Sequence, residues 1–229
     1  MIRYILILVF LVSSCGNLPI TYAQNFSDVN KVIFGFPEYE ITEKIFNEYE
    51  FSFAKVQFER GPHSILILAY IDEDIYEWVG TDNVRLFTKN GRVIKTSGLK
   101  NDFEIRSPYD PVSLEMAESK YSNSYLSRLT SILFSEDKTR SYFETIDLYN
   151  PDLFNATLSS SYLSSSDIIM RFGKEKKVSL IKQYAEIDSI AWKETNQFYV
   201  DKDSGQVIQS SQSLHPRLSR VNIEFYYKF

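Results

Sequence analysis

From residue 51 onward, polar and apolar side chains alternate at a spacing of two, and this alternation limits the possible fold more than any other feature. Between residues 51 and 59, Ala54, Val56 and Phe58 lie on one side of an extended chain. Because successive side chains of a strand point to opposite faces, this spacing predicts a β-strand with one face on a core. Residues 65–71 form a continuous apolar run that is rich in β-branched side chains, which predicts a strand buried on both faces.

Turn-forming residues separate the extended segments. Asn90-Gly91 lies between residues 83–88 and 93–96, and this dipeptide favours a type I′ turn, whose positive φ angles match the twist of a hairpin. A second hairpin is predicted around residues 201–205, a turn-forming run that ends at Gly205. The remaining predicted strands are residues 128–135, 141–149, 155–163, 167–172, 177–188 and 220–228. Short strands that alternate with turns predict a mainly β fold, built as a large antiparallel meander.

One or two short N-terminal helices are predicted before the first strand. Residues 26–36 carry apolar side chains at helical spacing, with Ser27 as the N-cap and a glycine and a proline at the end. A second short helix is predicted to begin at Thr42, because a capping threonine is followed there by the acidic Glu43 in the first turn.

Cys15 is the only cysteine of the chain, and it follows an apolar run at residues 4–12 that is preceded by Arg3. A cationic start, a short apolar run and small residues are typical of a secretory signal, and the run is too short to span a bilayer as a helix. The residues Val-Ser-Ser-Cys-Gly at 12–16 resemble a lipobox, in which the cysteine is acylated and becomes the first residue of the mature protein. Ordinary signal-peptidase cleavage after Ala23 is the alternative, and it would remove Cys15.

The lipobox interpretation divides the chain into three parts. These are a signal peptide at residues 1–14, a lipidated tether at residues 15–25 and a single β-rich domain at residues 26–229. Gly16, rather than an aspartate, follows the cysteine, which favours an outer-membrane address. The membrane is therefore an expected partner, held through fatty-acyl chains such as palmitate on Cys15, since several acyl chains are needed for firm anchoring.

Composition and motifs argue against several classes of function. The formal net charge is −5, which argues against nucleic acid as a partner. Once Cys15 is acylated, no cysteine remains for a disulfide or a zinc site, and His63 and His215 are predicted to be exposed loop residues. The sequence contains neither a Gly-x-Ser-x-Gly elbow nor a glycine-rich phosphate loop. We therefore expect no enzyme activity, no catalytic residue, no metal and no cofactor.

Trp78 and Trp192 are the candidate ligand-binding residues. Indole rings stack on the faces of sugar rings, while serine and amide side chains hydrogen-bond to hydroxyl groups. The alternative for both tryptophans is packing in the core, which is the commoner role of an aromatic residue in a β-sheet. The serine runs at 159–161 and 164–166 predict a polar strand face.

Two blocks of the sequence resemble a known family. The first block contains Trp78, Asp82-Asn83, Leu86, Thr88, Asn90-Gly91-Arg92 and Lys95-Thr96-Ser97-Gly98-Leu99. The second contains Phe198-Tyr199-Val200-Asp201, Ser204-Gly205-Gln206-Val207, Gln209-Ser210 and Gln212. In this order, and with the lipobox, they resemble the YjbF/GfcB lipoprotein family over nearly the whole chain. Residues 107–125 and 159–166 match no motif of that family.

The resemblance implies a large curved antiparallel sheet or half-barrel, and an outer-membrane lipoprotein encoded beside exopolysaccharide or group 4 capsule genes. It implies no defined reaction. The leading hypothesis is therefore a non-enzymatic, lipid-anchored outer-membrane protein that faces the periplasm and assists exopolysaccharide or capsule assembly or export. Its curved sheet would bind a glycan or a protein of the export machinery. The alternative is a half-barrel that carries an acyl chain or a lipid-linked intermediate.

Overall fold

A computed structural model describes residues 40–59, 61–81, 83–106, 108 and 142–229. Outside these residues lie the predicted signal peptide, the tether with Cys15, the helix at 26–36 and the strand at 128–135. One compact unit, Tyr39–Glu59 with His63–Phe229, contains all the described strands. In the described segments, no helix combines the length and the apolar character needed to cross a membrane.

The short helix α1, Glu43–Glu48, begins where the sequence predicts it. Thr42 is its N-cap, and the Thr42 hydroxyl accepts a hydrogen bond from the Ile45 N–H at 3.3 Å. Phe46 of α1 packs against Phe53 and Tyr226, which lie side by side in the first and last strands. The helix thus covers the outer face of these two strands.

Twelve strands of the described residues form a single antiparallel sheet, in which each strand pairs with the next one along the chain. This order confirms the predicted mainly β meander. The strands are β1 Phe53–Phe58, β2 His63–Asp72, β3 Ile75–Val79, β4 Arg85–Lys89, β5 Arg92–Ser97, β6 Phe103–Arg106, β7 Tyr142–Leu148, β8 Leu153–Arg171, β9 Lys174–Ile187, β10 Trp192–Asp201, β11 Val207–Gln212 and β12 Val221–Tyr226.

The sheet closes into a barrel, so the predicted open curved sheet or half-barrel is wrong on this point. β12 pairs with β1 through six residue pairs, from Phe53 with Tyr226 to Phe58 with Val221. Closure supplies hydrogen-bond partners to the two strands that would otherwise be exposed edges. A local sequence pattern contains no signal for this pairing, because the two strands lie at opposite ends of the domain.

The hairpin of β8 and β9 is the longest in the fold. β8 runs without a break over the predicted strands 155–163 and 167–172, which are therefore one strand. β9 pairs with β8 as far as Arg171 with Lys174, whereas β10 pairs with β9 only as far as Val178. The tip of this hairpin consequently continues past the end of β10.

β2 confirms the predicted strand at residues 65–71 but not its predicted burial. Leu66 is the buried residue of the run, whereas Tyr70 and Ile71 are exposed. A barrel wall is a single layer, so one face of a strand turns outward even when its sequence is continuously apolar.

Apolar side chains that point into the barrel form the main core. Trp78, Phe103, Phe198 and Phe225 are the largest of them, and each is at most 2% exposed. Complete burial of one such side chain contributes about 1.5–3 kcal/mol. The inward positions of β1, including Ala54 and Val56, belong to the same cluster, as the spacing of two predicts.

A buried ion pair lies among these apolar side chains. Arg92 in β5 donates hydrogen bonds to both carboxylate oxygens of Glu144 in β7, at 2.8 and 2.6 Å. The two side chains are 3% and 2% exposed. The bidentate geometry offsets the cost of removing two charges from water, and the pair connects two strands that are not neighbours in the sheet.

Gln212 of β11 reaches across the interior to the backbone of the β4–β5 hairpin. Its side-chain oxygen accepts a hydrogen bond from the Val93 N–H, and its amide donates to the Gly91 carbonyl, both at 2.9 Å. A cavity lined by Arg92, Gln183 and Gln212, among others, measures only about 20 Å³. That volume has room for roughly one water molecule, so this part of the interior is filled by side chains.

The Asn90-Gly91 turn has the predicted geometry, with φ angles of 46° and 72°. It also makes a contact that the sequence does not reveal, because Gly91 lies directly against the side chain of Val207. A Cβ atom at Gly91 would be 2.4 Å from the Cβ of Val207.

We expect Gly91→Ala to destabilise the protein much more than Gly173→Ala. Both glycines have φ angles near +70°, at 72° and 71°, so an added Cβ imposes a similar backbone strain of about 1–2 kcal/mol at each. At Gly173, however, no atom lies within 4 Å of the added Cβ. Urea titrations should therefore give Gly91→Ala an extra loss in the free energy of unfolding of about 1–3 kcal/mol. Equal losses would contradict the contact with Val207.

Replacing Glu144 by glutamine should lower the free energy of unfolding by about 3–5 kcal/mol, because it removes the carboxylate charge that is paired with the buried guanidinium of Arg92. Glu104→Gln is the matched control, since Glu104 pairs with Lys95 at 3.1 Å and both side chains are at least 36% exposed. That variant should lose less than about 1 kcal/mol. Chemical unfolding of both variants measures the difference, and a small loss for both would argue against a structural role of the buried pair.

His215 is buried, so its predicted position in an exposed loop is wrong. Its Nδ1 accepts a hydrogen bond from the Arg217 N–H at 3.0 Å. Burial, with a contribution from the positive charge of Arg217, lowers the pKa of His215 below the ordinary value of 6.5. The neutral form is thus favoured in the folded protein.

This lowered pKa predicts a loss of stability on acidification. Below about pH 6.5 the unfolded chain binds a proton at His215 more readily than the folded chain, so the free energy of unfolding falls until the pH reaches the folded-state pKa. Urea titrations measure the free energy of unfolding at pH 7.5 and at pH 5.5. The difference between the two pH values should be smaller for His215→Asn than for the wild type. If the two proteins lost the same amount of stability, the protonation of His215 would not be the cause.

Candidate functional site

The tip of the β8–β9 hairpin is held against the last two strands by Arg171. Its guanidinium donates hydrogen bonds to the carbonyl oxygens of Phe225 at 2.6 Å and Ile208 at 3.4 Å. The pairing of β11 with β12 ends one step earlier, at Gln209 with Glu224. Arg171 therefore supplies donors to two carbonyl groups at the point where these strands separate.

Aromatic rings fix the same tip to α1. The guanidinium carbon of Arg171 lies 3.9 Å from the centroid of the Tyr226 ring, a cation–π geometry. The ring centroid of Phe172 is 5.5 Å from that of Phe46 and 5.9 Å from that of Tyr226. The backbone of Phe172 and Gly173 has φ angles of 51° and 71°, typical of a tight hairpin turn. The tip is thus positioned by several independent contacts.

A cleft of about 710 Å³ lies beside this tip, and we call it the hairpin-tip cleft. Its volume falls within the ~300–1,000 Å³ range of small-ligand sites. The turn between β10 and β11 forms another wall, and the ends of β11 and β12 contribute apolar surface. The lining residues are Phe46, Arg171, Phe172, Lys174, Glu175, Lys176, Lys177, Asp201, Lys202, Asp203, Ser204, Gln206, Ile208, Phe225 and Tyr227.

Positive charge exceeds negative charge in this lining. Five of the lining residues are basic and three are acidic. One of the acidic residues, Asp201, forms an ion pair with Lys176 at 2.9 Å. Burial alone would raise the pKa of Asp201, but hydrogen bonds from Lys176, the Asp203 N–H and the Ser204 hydroxyl lower the pKa below its ordinary value. Asp201 is therefore a carboxylate that organises the β10–β11 turn.

A second groove, of about 470 Å³, carries balanced charges. It is lined by residues 159–161 and by Tyr184, with two basic and two acidic side chains among the others. These charges pair with each other, Lys193 with Glu186 and Arg220 with Glu194. The predicted polar face of the serine run at 159–161 thus lines a groove, but the groove has no unbalanced charge to attract a ligand.

The structure places neither predicted tryptophan in the lining of the hairpin-tip cleft. Trp78 is 0% exposed, and its indole N–H donates a hydrogen bond to the Thr88 hydroxyl at 2.8 Å. Trp192 is half-buried and lines the small interior cavity of about 20 Å³. Both contact the core, which was the alternative role considered from the sequence. Cys15 lies outside the described residues.

Sequence reasoning missed the basic residues of the hairpin tip. A signal was present, because residues 171–177 contain four basic residues and one acidic residue in a chain of net charge −5. In the sequence, the run resembles an ordinary solvated turn. Only the structure shows which side chains surround it. As for metal chemistry, no group of three or more His, Cys, Asp or Glu side chains within the described part of the chain could hold an ion.

Comparisons with known proteins agree with the family that the sequence resembles. The family model for the group 4 capsule polysaccharide lipoprotein GfcB, YjbF, matches residues 26–226. The uncharacterized lipoprotein GfcB of Escherichia coli strain K12 is 29% identical over 173 residues, which are 74% of this chain and 73% of that protein.

The crystal structure of the hypothetical lipoprotein YmcC from Escherichia coli K12 has a similar fold. The TM-score is 0.65 at 21% sequence identity, and the match covers 93% of this chain and 97% of that one. At this level of identity the likeness concerns the fold alone. The family model, in contrast, spans most of the sequence, including every described strand. The chain therefore belongs to the YjbF family of group 4 capsule polysaccharide lipoproteins.

Proposed function

We propose that this protein is a non-enzymatic, lipid-anchored outer-membrane protein that faces the periplasm and binds a glycan during capsule or exopolysaccharide assembly or export. The family, described as one of group 4 capsule polysaccharide lipoproteins, is consistent with a role linked to a capsule. The observation that carries the proposal is the hairpin-tip cleft, which places partly exposed aromatic rings next to basic side chains.

The cleft has the chemistry that sugars require. Phe46, Phe172 and Tyr227 line it and are half-buried, so their rings add apolar surface of the kind on which sugar rings pack. Hydroxyl and amide groups from Ser204 and Gln206 can bond to sugar hydroxyls. Because Arg171 and the aromatic cluster fix the hairpin tip, binding would require little ordering of the protein.

The alternative function, transport of an acyl chain inside the barrel, receives less support. Trp78 and Phe225 pack inside the barrel, and the Arg92–Glu144 pair and Gln212 occupy the space between the walls. An acyl chain needs a deep apolar cavity, whereas the interior cavity beside Arg92 has a volume of about 20 Å³. The geometry therefore favours binding at the rim of the barrel over binding inside it.

Anchoring through Cys15 completes the proposal. A tether of about ten residues after an acylated cysteine would keep the domain close to the membrane surface, where the local concentration of a membrane-associated glycan or export protein is high.

Replacing Cys15 by alanine should abolish labelling with radioactive palmitate and remove the protein from the outer-membrane fraction. In a strain that lacks the chromosomal copy, the variant should restore less surface polysaccharide than the wild type. Ala23→Asp is the control, because it blocks the alternative cleavage site and should leave labelling, fractionation and polysaccharide output unchanged. If Cys15→Ala remained in the outer membrane and supported full polysaccharide output, the anchoring proposal would be wrong.

A further inference from the structure

The basic side chains of the hairpin-tip cleft differ in how strongly they are bound to other groups of the protein. Arg171 is bound to two backbone carbonyls and to the Tyr226 ring, and Lys176 is paired with Asp201. These two cations have structural partners. The remaining three are lysines at the solvent side of the lining, Lys174, Lys177 and Lys202.

Among the described residues, one of the three lysines is weakly paired with a carboxylate, and the other two form no ion pair. Lys174 lies 3.4 Å from Glu43, but the two side chains are 76% and 60% exposed, so the attraction is largely screened. Lys202 donates a hydrogen bond to the neutral hydroxyl of Ser166 at 3.0 Å. Lys177 is exposed and forms no ion pair with any of the described residues. With Asp201 paired to Lys176, the remaining carboxylates of the lining are Glu175 and Asp203, against four other cations, so the cleft presents an excess of positive charge.

This charge stands next to apolar rings rather than on an open surface. Phe172 follows Arg171 directly in the turn, and Phe225 and Tyr227, whose rings stack with centroids 5.9 Å apart, line the same cleft. Burial raises the pKa of the Tyr227 hydroxyl, so the side chain stays neutral and adds no negative charge to the cleft. A ligand that suits both features has a flat, weakly apolar face and an attached anionic group.

Other anionic ligands fit less well. A long polyanion such as nucleic acid would meet a protein surface whose net charge is −5, because the excess positive charge is local to the cleft. An acyl chain would have to lie against ammonium groups, which favour water over hydrocarbon. A saccharide that bears a carboxylate or a phosphate satisfies the rings and the lysines at the same time.

We propose that the hairpin-tip cleft binds an acidic saccharide, with its anionic group at Lys177 and Lys202 and a sugar ring against Phe172 and Tyr227. This inference rests on the proposed function and deepens it, since it names the chemical class of glycan and the residues that select it. Recognition through exposed lysines makes the affinity dependent on salt.

The test uses the full-length protein in a neutral detergent and trigalacturonic acid as the probe, with its methyl ester as the uncharged counterpart. Isothermal titration calorimetry should show that the wild type binds the acid at least about tenfold more tightly than the ester, and more weakly as sodium chloride is raised. The double variant Lys177→Glu with Lys202→Glu should bind the acid about tenfold or more weakly than the wild type.

Lys182→Glu is the matched control, because Lys182 lies in the same strand, β9, but does not line the cleft. It changes the charge by two units, against four in the double variant, and should leave the affinity for trigalacturonic acid within about twofold of the wild type. All the substituted lysines lie outside the barrel core, and circular dichroism checks that each variant is folded. An equal loss of affinity in the control and in the double variant would show that the cleft is not the binding site.

Anionic lipid headgroups carry similar chemistry, so phosphatidylglycerol vesicles form a separate arm. If the double variant lost binding to these vesicles but still bound trigalacturonic acid normally, the cleft would be a headgroup site and the inference would be wrong. Absence of trigalacturonate binding by the wild type would overturn it as well. The proposed function would survive either result if Cys15→Ala still reduced surface polysaccharide, so the two failures are distinguishable.

Discussion

The pairing of β1 with β12 is the contact on which the rest of the barrel depends. It joins positions 169 residues apart, as in the ion pair between Lys55 and Glu224 at 3.0 Å. Tyr226 donates a hydrogen bond to the same carboxylate, and α1 covers the outer face of the two strands. Without this pairing, two strand edges would be open to water, and the inward side chains Ala54 and Phe225 would lose a wall of their core.

Closure has a direct consequence for where a ligand can bind. In this barrel, side chains occupy the interior, with Trp78 and the buried Arg92–Glu144 pair among them. The binding site that we propose therefore lies at the rim, where hairpins extend beyond the wall. Arg171 holds the tip of the β8–β9 hairpin in place, because it donates hydrogen bonds to backbone carbonyl groups of β11 and β12 where these two strands separate.

Features that depend on neighbouring residues were predicted well. The alternation at residues 51–59, the cap at Thr42 and the turn at Asn90-Gly91 all have the expected geometry. Predictions of burial were weaker: residues 65–71 are partly exposed, and His215 is buried. Exposure depends on what packs against a side chain from distant parts of the chain, and a short sequence window carries no such information.

The sequence by itself determined the mainly β class, most of the described strands and the family, because backbone preference and the alternation of side chains are local properties; it did not predict β3 or β6. It also contains a basic run at residues 171–177, whose significance sequence reasoning missed. Only the tertiary structure decided that the sheet closes and that this run meets Lys202 and Tyr227 around one cleft. The reason is physical: these contacts follow from the hydrogen-bond register of several strands at once, which no single strand specifies.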